Sequence, residues 1–259
     1  MEIAIYVVAF LFGIVIGSFL NVCIFRIPKG EDLASKRSHC MSCGYQLRWF
    51  DLIPLFSWIA LRGHCRKCHA KISAQYPIIE ALNGVLYVGI LLVCGISVES
   101  ILFCFAASAL LALSVIDFRT YIIPIGFNVF ILVLGIIRIV YMLFAVGEDV
   151  KAIAPYIIGM FAVSVPLGIL WFITKGKAIG GGDVKLMGAA GLLLGWKLIL
   201  LAFVLGCILG SFIHIARMKI SKAGRVLAMG PYLAAGIMIA ILVGNKLLEW
   251  YTGLIGFNN

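Results

Sequence analysis

Two aspartates stand where long apolar stretches of this chain end, and their placement suggests acid–base chemistry. Asp117 closes the apolar stretch 100–116, and Asp183 follows the glycines Gly180 to Gly182. A carboxylate near hydrocarbon is costly, about +2.5–3.5 kcal/mol for a central Asp, so such a residue is a functional candidate by default. Two carboxylates brought together can share one proton and supply an acid and a base. Hydrolysis of a peptide bond by activated water needs that combination.

The glycines before Asp183 allow two interpretations. A run of glycines permits positive φ angles and close backbone approach, which would present Asp183 to an extended peptide. The alternative is that Asp183 is a helix N-cap, with the glycines forming a loop before the next helix. A phosphate-binding loop is excluded, because the Gly-Lys-Ser/Thr ending is absent.

The composition predicts an all-α polytopic membrane protein. The chain has 259 residues, of which 63% are hydrophobic and 12% charged, with a mean hydropathy of +1.13. A soluble protein of this length needs more polar surface, and a β-barrel would show short alternating segments. We expect about eight transmembrane helices, the sixth of them short for a full crossing: 3–25, 76–95, 100–116, 121–146, 152–174, 184–196, 198–216 and 227–248.

The basic residues predict the orientation of these spans. Most of the 21 Lys and Arg residues fall between 26 and 71, near 119, from 175 to 185 and from 217 to 225. By the positive-inside rule these segments face the cytoplasm, so both termini are expected outside and the first apolar stretch is a span and not a cleavable signal. The net charge of +10 then reflects the basic residues that orient the spans in the membrane. It favours contact with anionic lipid, and nucleic acid is an unsuitable partner because no contiguous basic stripe exists.

A cytoplasmic insert at 26–73 carries two Cys-x-x-Cys pairs. Four cysteines at this spacing match a tetrathiolate zinc site, whose closed coordination implies a structural role. The ligands would be Cys40, Cys43, Cys65 and Cys68. Disulfides are the alternative, but the reducing cytoplasm argues against them. We interpret the neighbouring histidines His39, His64 and His69 as solvated or supporting residues. This division gives a first helix at 1–25, the zinc insert at 26–73 and a transmembrane catalytic core at 74–259.

Three further polar or amphipathic features leave alternatives open. Asn21, near the end of the first span, is either a packing residue or a contact for substrate backbone. Glu80, a rare intramembrane acid, either has a functional role or makes a bond between helices. The segment 49–61, with a tryptophan at its start and another at 58, either lies at the lipid headgroups or forms a small core for the zinc insert.

Six stretches in order resemble the type IV prepilin peptidase family, the bifunctional leader peptidases and N-methyltransferases of bacterial pilus and type II secretion systems. They are Gly-Ser-Phe-Leu-Asn-Val-Cys-Ile-Phe-Arg-Ile-Pro at 17–28, both cysteine pairs, Ile-Ser-Ala-Gln-Tyr-Pro-Ile-Ile-Glu at 72–80, Asp117 with Pro124, the segment 180–186, and Gly-Pro-Tyr-Leu-Ala-Ala-Gly at 230–236. One departure is Ile179, where relatives often carry Phe.

The resemblance implies an intramembrane aspartyl protease of the Gly-x-Gly-Asp type. Asp117 and Asp183 would be its catalytic pair, supported by Gly180, Gly182, Glu80 and Asn21. Its substrates would be prepilins and pseudopilins with short basic leaders, cut at the cytoplasmic face of the bacterial inner membrane. S-adenosylmethionine would be the methyl donor for the new N-terminus. The residues that bind this cofactor are not evident from the sequence.

Two other classes of protein compete with this interpretation. A transporter could use the acids as an ion path, although they gather at one membrane face without a relay through the middle of the bilayer. A zinc metalloprotease would need an open metal site and a motif such as His-Glu-x-x-His, which the chain lacks. Ion flux in proteoliposomes would support the first, and chelator-sensitive cleavage that survives loss of both aspartates would support the second.

Overall fold

The computed structural model describes residues 2–33, 37–221 and 227–255, and it confirms the all-α prediction. Among these residues the only β-type pairings are two isolated bridges, His39 with Gln46 and His64 with Lys71. The helices are α1 (Glu2–Arg26), α2 (Phe56–Ala60), α3 (Gln75–Cys94), α4 (Val98–Thr120), α5 (Ile125–Tyr141), α6 (Ala154–Ala162), α7 (Ser164–Ile173), α8 (Gly181–Leu194), α9 (Trp196–Ser221) and α10 (Gly230–Ile255). Basic residues between 222 and 226, on which part of the predicted orientation rests, lie outside the described residues.

Seven stretches of the described chain are long and apolar enough to cross a membrane. They are Ile3–Lys29, Gln75–Cys94, Val98–Thr120, Ile125–Val146, Val150–Ile173, Trp196–Met218 and Gly230–Leu254. The expected sixth span, 184–196, corresponds to α8, which has only 14 residues. At 1.5 Å per residue such a helix is about 21 Å long, less than the hydrocarbon thickness of about 30 Å.

The chain divides into two compact units, Met1–Ile96 and Ser97–Asn259. In the first unit α1 packs lengthwise on α3. A Cβ added to Gly13 would lie 2.7 Å from the Cα of Gly84, and one added to Gly17 would lie 2.7 Å from the Cα of Glu80. Asn83 also donates its side-chain amide to the Gly13 carbonyl over 2.7 Å. The small residues of α1 therefore let two backbones touch, as in other membrane helix pairs.

In the second unit, α8 is the central helix and contacts α5, α6, α7, α9 and α10. Its Leu186, Met187 and Leu193 are fully buried, which explains why a short apolar helix is stable there. The helix begins after Gly180, its N-cap, and ends at Gly195, which has a φ of 85°. Because only glycine readily adopts that conformation, the chain can turn sharply from α8 into α9.

A buried arginine of α5 holds the C-terminal end of α8. Arg138 donates to the carbonyl oxygen of Leu193 and forms an ion pair with Glu99 at 3.1 Å. Its guanidinium also lies 4.8 Å from the centre of the Tyr156 ring. A buried cation at this end of a helix satisfies carbonyls that lack partners within the helix.

Candidate functional site

Asp117 lies in the last turn of α4 and is 5% exposed. Its Oδ2 accepts a hydrogen bond of 2.9 Å from the backbone N–H of Gly230, the first residue of α10. Helix N-termini carry unsatisfied N–H groups and a partial positive charge, so this contact suits a carboxylate. Tyr121, with a φ of 55°, ends α4, and Pro124 then precedes α5. The chain turns directly after Asp117, which leaves this acid at the end of a packed helix.

Asp183 lies in the first turn of α8 and is 9% exposed. The N-cap of this helix is Gly180, so the interpretation of Asp183 as the N-cap is wrong. None of Gly180, Gly181 and Gly182 has a positive φ, so the glycines do not act through left-handed backbone. They act through close approach. A Cβ on Gly182 would lie 2.9 Å from Cβ of Ile123, and one on Gly180 would lie 3.0 Å from Oδ2 of Asp183.

Asp117 and Asp183 line one cavity of about 550 Å³ in the second unit. The two carboxylates are close enough to interact electrostatically. The segment 176–180, including Ile179, forms one wall, and Leu167, Phe203 and Leu233 contribute apolar surface. Oδ1 of Asp183 is buried and has no hydrogen-bond partner among the described protein atoms. The cavity therefore presents two acids, one with an open acceptor, beside apolar walls.

Two residues near these acids were not identified from the sequence. Asn128 of α5 is buried and donates its side-chain amide to the carbonyl of Gly182 over 3.3 Å. From the sequence, Gly230 is only the first residue of the stretch 230–236 that resembles the family. Its contact with Asp117 joins residues 113 positions apart. The only sequence feature that points to Asn128 is a polar side chain one turn into an apolar helix. No local feature of the sequence points to the contact of Gly230.

Glu80 and Asn21 both belong to the first unit. Oε2 of Glu80 accepts the N–H of Leu55 at 2.8 Å, and Leu55 has a φ of 61° just before α2. Asn21 donates to the carbonyl of Tyr76 at 3.1 Å and to that of Gly17 at 3.4 Å. Asn21 thus links α1 to the backbone of α3, and Glu80 holds a turn of the insert against α3. A part for either residue in catalysis stays a prediction.

The four cysteines of the insert converge. The sulfurs of Cys40, Cys43, Cys65 and Cys68 all lie within 4.8 Å of one another, and none of the four is in a disulfide. The Sγ atoms of Cys40 and Cys68 are 3.8 Å apart. Tetrahedral zinc with Zn–S bonds of about 2.3 Å places its sulfurs about 3.8 Å apart. The donor set and its spacing therefore fit a zinc ion.

The two cysteine pairs sit in matching turns. The N–H of Cys40 donates to Tyr45 and that of Cys65 to Ala70, each over 2.9 Å. The corresponding turn residues Gly44 and His69 both have positive φ, 70° and 57°. The sequence shows this as a short repeat, His-Cys-x-x-Cys at 39–43 and again at 64–68. Glycine adopts such a φ without steric cost, so Gly44 eases the first turn.

The turn around Cys40 favours its metal-binding form. Backbone N–H groups of Cys43 and Ser42 lower the pKa of the Cys40 thiol to about 6. A thiolate is the species that ligates zinc. His39 and His64 point instead to nearby backbone, with Nδ1 3.3 Å from the Arg37 carbonyl and 2.7 Å from the Arg62 carbonyl, respectively. This agrees with their interpretation as supporting residues.

The segment 49–61 forms a short 3₁₀ turn at Trp49–Leu52 and the helix α2. The buried Asp51 forms an ion pair of 2.8 Å with the half-exposed Arg66, which lies between Cys65 and Cys68, and the Trp58 ring packs over Gly63. Trp49, Phe56 and Ile59 are exposed. One side of the segment thus contributes to the core of the insert, while the other presents apolar side chains outward. The placement of this outer side at the lipid headgroups stays a prediction.

The seven apolar spans, the buried acids Asp117 and Asp183 and the four clustered cysteines of the insert define a multi-pass membrane protein with two candidate sites. The profile of the bacterial peptidase A24 N-terminal domain matches residues 11–94, and that of the type IV leader peptidase family matches 104–215. The chain belongs to the type IV leader peptidase family.

Several curated relatives are named prepilin leader peptidase/N-methyltransferase. The Stutzerimonas stutzeri protein is 32% identical over 94% of this chain and 92% of its own length. The Pseudomonas putida protein is 28% identical over 99% and 97%, and that of Aeromonas hydrophila is 30% identical over 93% and 92%. No solved structure matches the chain significantly.

Proposed function

We propose that this chain is an intramembrane aspartyl endopeptidase. It removes the short basic leader of type IV prepilins and pseudopilins at the cytoplasmic face of the bacterial inner membrane, and then N-methylates the new N-terminus. The observation that carries the peptidase is the convergence of Asp117 and Asp183 on one cavity, although 66 positions separate them in a chain with few acids. The names of the relatives support the substrate class and the second activity.

In the proposed mechanism, one carboxylate is ionised and takes a proton from a water molecule held between the pair. The other is protonated and polarises the scissile carbonyl. Repulsion between adjacent carboxylates favours the singly protonated state. Because a coupled pair titrates as a unit, the acid and base roles belong to the pair.

The surroundings of the pair suit these roles. The Gly230 N–H fixes Oδ2 of Asp117. Oδ1 of Asp183 has no donor within the described part of the chain, so it can accept a hydrogen bond from water. The apolar residues Leu167, Phe203 and Leu233 line the same cavity. They suit the hydrophobic segment that follows a prepilin cleavage site, while the basic leader remains in water.

The metal and the methyl donor have separate tasks. Cys40, Cys43, Cys65 and Cys68 would hold zinc with all four positions filled, so zinc would cross-link the two turns and would not activate water. This argues against the metalloprotease alternative. S-adenosylmethionine would supply the methyl group, whose bond to the sulfonium sulfur is exchanged for one to the terminal nitrogen, with release of S-adenosylhomocysteine and a proton.

The test uses the full-length protein in detergent with a prepilin that carries its leader. Wild type is compared with Asp117→Asn, Asp183→Asn and the control Asp149→Asn, which alters an exposed acid of the same unit. We expect cleavage by wild type and by the control, and none by either site variant, with thermal unfolding unchanged. Full cleavage by a folded Asp117→Asn or Asp183→Asn would refute the aspartyl mechanism. Peptide mass with S-adenosylmethionine reports the added methyl group.

A further inference from the structure

The segment 49–61 presents exposed apolar side chains at intervals of three or four residues. We call them the outer apolar face: Trp49, Ile53, Phe56 and Ile59, which are 77%, 41%, 62% and 64% exposed. Phe56 and Ile59 are three residues apart on α2 and therefore share one side of it. Large apolar side chains that gather on one exposed side are typical of a surface that contacts a partner or a membrane.

A hydrogen bond to α3 fixes the depth of this segment. Glu80 is the sixth residue of the span Gln75–Cys94, so it lies about 7.5 Å along the helix from the first residue, at 1.5 Å per residue. Its Oε2 accepts the N–H of Leu55 over 2.8 Å, and Leu55 stands between Ile53 and Phe56. The outer apolar face therefore lies beside the first turns of a membrane span. Lipid headgroups occupy that level, since they add about 10–15 Å in total to a hydrocarbon core of about 30 Å.

The chain around the outer apolar face is basic. Between 37 and 73 it has six Lys and Arg residues and one acid, Asp51. Asp51 is buried and paired with Arg66, so its charge is balanced inside the insert. Arg48 and Arg62 are exposed and stand directly at the two ends of the segment. An apolar face that begins with Trp and is flanked by cations matches the surface of a membrane that contains acidic lipids.

We propose that the outer apolar face inserts into the headgroup layer at the start of α3, with acidic lipid headgroups bound by Arg48 and Arg62. The insert is then anchored to the bilayer that the spans cross. A second copy of the chain fits this face poorly. In a two-fold dimer the same surface of both copies meets, and the flanking arginines of the two copies would repel one another.

Trp49 reports on this face by its own fluorescence. Full-length wild type and Trp49→Phe are reconstituted in nanodiscs, with and without lipids brominated near the headgroup end of the acyl chains. The difference between the two proteins isolates the emission of Trp49. We expect brominated lipid to remove about half of it, because an interfacial Trp ring lies at the headgroup level. Trp58→Phe is the control. The Trp58 ring packs over Gly63, so its emission should be unaffected by bromine.

Two outcomes of this experiment would overturn the proposal. Emission of Trp49 that is quenched by acrylamide and not by brominated lipid would place the face in water. Emission that neither reagent quenches would show that protein covers the face. Because Trp49 is exposed, Trp49→Phe should unfold at the wild-type temperature and cleave the leader at the wild-type rate.

The charge of the headgroup is tested in the same assay. Nanodiscs contain equal amounts of phosphatidylglycerol and phosphatidylcholine, and bromine is placed on one lipid or the other. We expect quenching of Trp49 to be about twice as strong with bromine on phosphatidylglycerol, because Arg48 and Arg62 attract the anion. The double variant Arg48→Gln/Arg62→Gln should lose this preference.

Lys151→Gln/Lys246→Gln is the matched control, since it removes two exposed cations of the second unit, and it should keep the preference for phosphatidylglycerol. Equal quenching by both lipids in wild type would overturn the binding of acidic headgroups. A preference that survives in Arg48→Gln/Arg62→Gln would overturn the role of these two arginines.

Discussion

Gly230 donates its backbone N–H to Oδ2 of Asp117 over 2.9 Å, and a Cβ on Gly230 would lie 2.7 Å from that same oxygen. The start of α10 therefore touches the acid of α4 in a way that only glycine permits. This contact both orients one carboxylate and prevents any larger residue from occupying the position.

Gly230→Ala should displace the Asp117 carboxylate and lower the rate of leader cleavage. A misplacement of about 1 Å can cost about 10²-fold in rate, and we expect a loss of that order. The measurement is single-turnover cleavage of prepilin by mass spectrometry. Gly126→Ala is the control, because a Cβ there meets nothing within 4 Å, and it should keep wild-type activity. Equal rates for both variants would show that the Gly230 contact is unimportant.

Asn128→Leu should slow catalysis with little effect on folding. The side-chain amide of Asn128 holds the Gly182 carbonyl directly before Asp183, so its loss frees the start of α8. We expect kcat to fall about tenfold, equivalent to about 1.4 kcal/mol of activation free energy, with KM unchanged. Asn245→Leu, an exposed site on α10, is the control. A change in KM alone would indicate a substrate contact instead of a positioning role.

Arg138→Met should destabilise the second unit. It leaves the carbonyl of Leu193 without its donor and Glu99 without its cation. Breaking a buried ion pair costs about 3–5 kcal/mol, and we expect the lower end because Glu99 is partly exposed. Thermal unfolding in detergent measures the effect, with the exposed Lys151→Met as control. A wild-type Tm for Arg138→Met would contradict the stabilising role of Arg138 at the C-terminal end of α8.

Cys40→Ser and Cys65→Ser should each remove bound zinc and loosen the insert. Elemental analysis should find one zinc per wild-type chain and per Cys94→Ser chain, since Cys94 lies outside the cluster. Cleavage should fall only indirectly, through the altered insert. If a variant in which all four cysteines are replaced bound no metal and kept the wild-type rate of cleavage, the zinc site of the insert would be dispensable for proteolysis.

The same site should depend on pH in a defined direction. Backbone N–H groups lower the pKa of Cys40 to about 6, whereas the pKa of Cys68 is raised to about 11, so zinc must displace protons from part of the cluster at neutral pH. Zinc uptake by the stripped protein should therefore weaken as the pH falls, because protons compete with the metal for the sulfurs. Uptake that rises on acidification would contradict this account.

The sequence alone determined the class of the protein, its family and the residue types of both clusters. Long apolar stretches can only be helices in lipid, because every backbone group must be paired within the segment. The cysteine spacing likewise predicts the cluster, since each pair needs only one tight turn. The sequence showed that α8 is short but did not determine that it is buried in protein, because an apolar stretch of this kind looks the same whether lipid or protein surrounds it.

Tertiary structure decided how the two acids are held. The sequence left open whether Asp183 was an N-cap and whether its glycines served positive φ angles or close approach. The helix begins earlier, at Gly181, and Gly182 packs closely against Ile123. The contacts of Asp117 with Gly230 and of Asn128 with Gly182 join residues distant in the chain. Such contacts depend on how the helices pack, and no local pattern encodes that. The pairing of Asp117 with Asp183 in one cavity has the same physical origin.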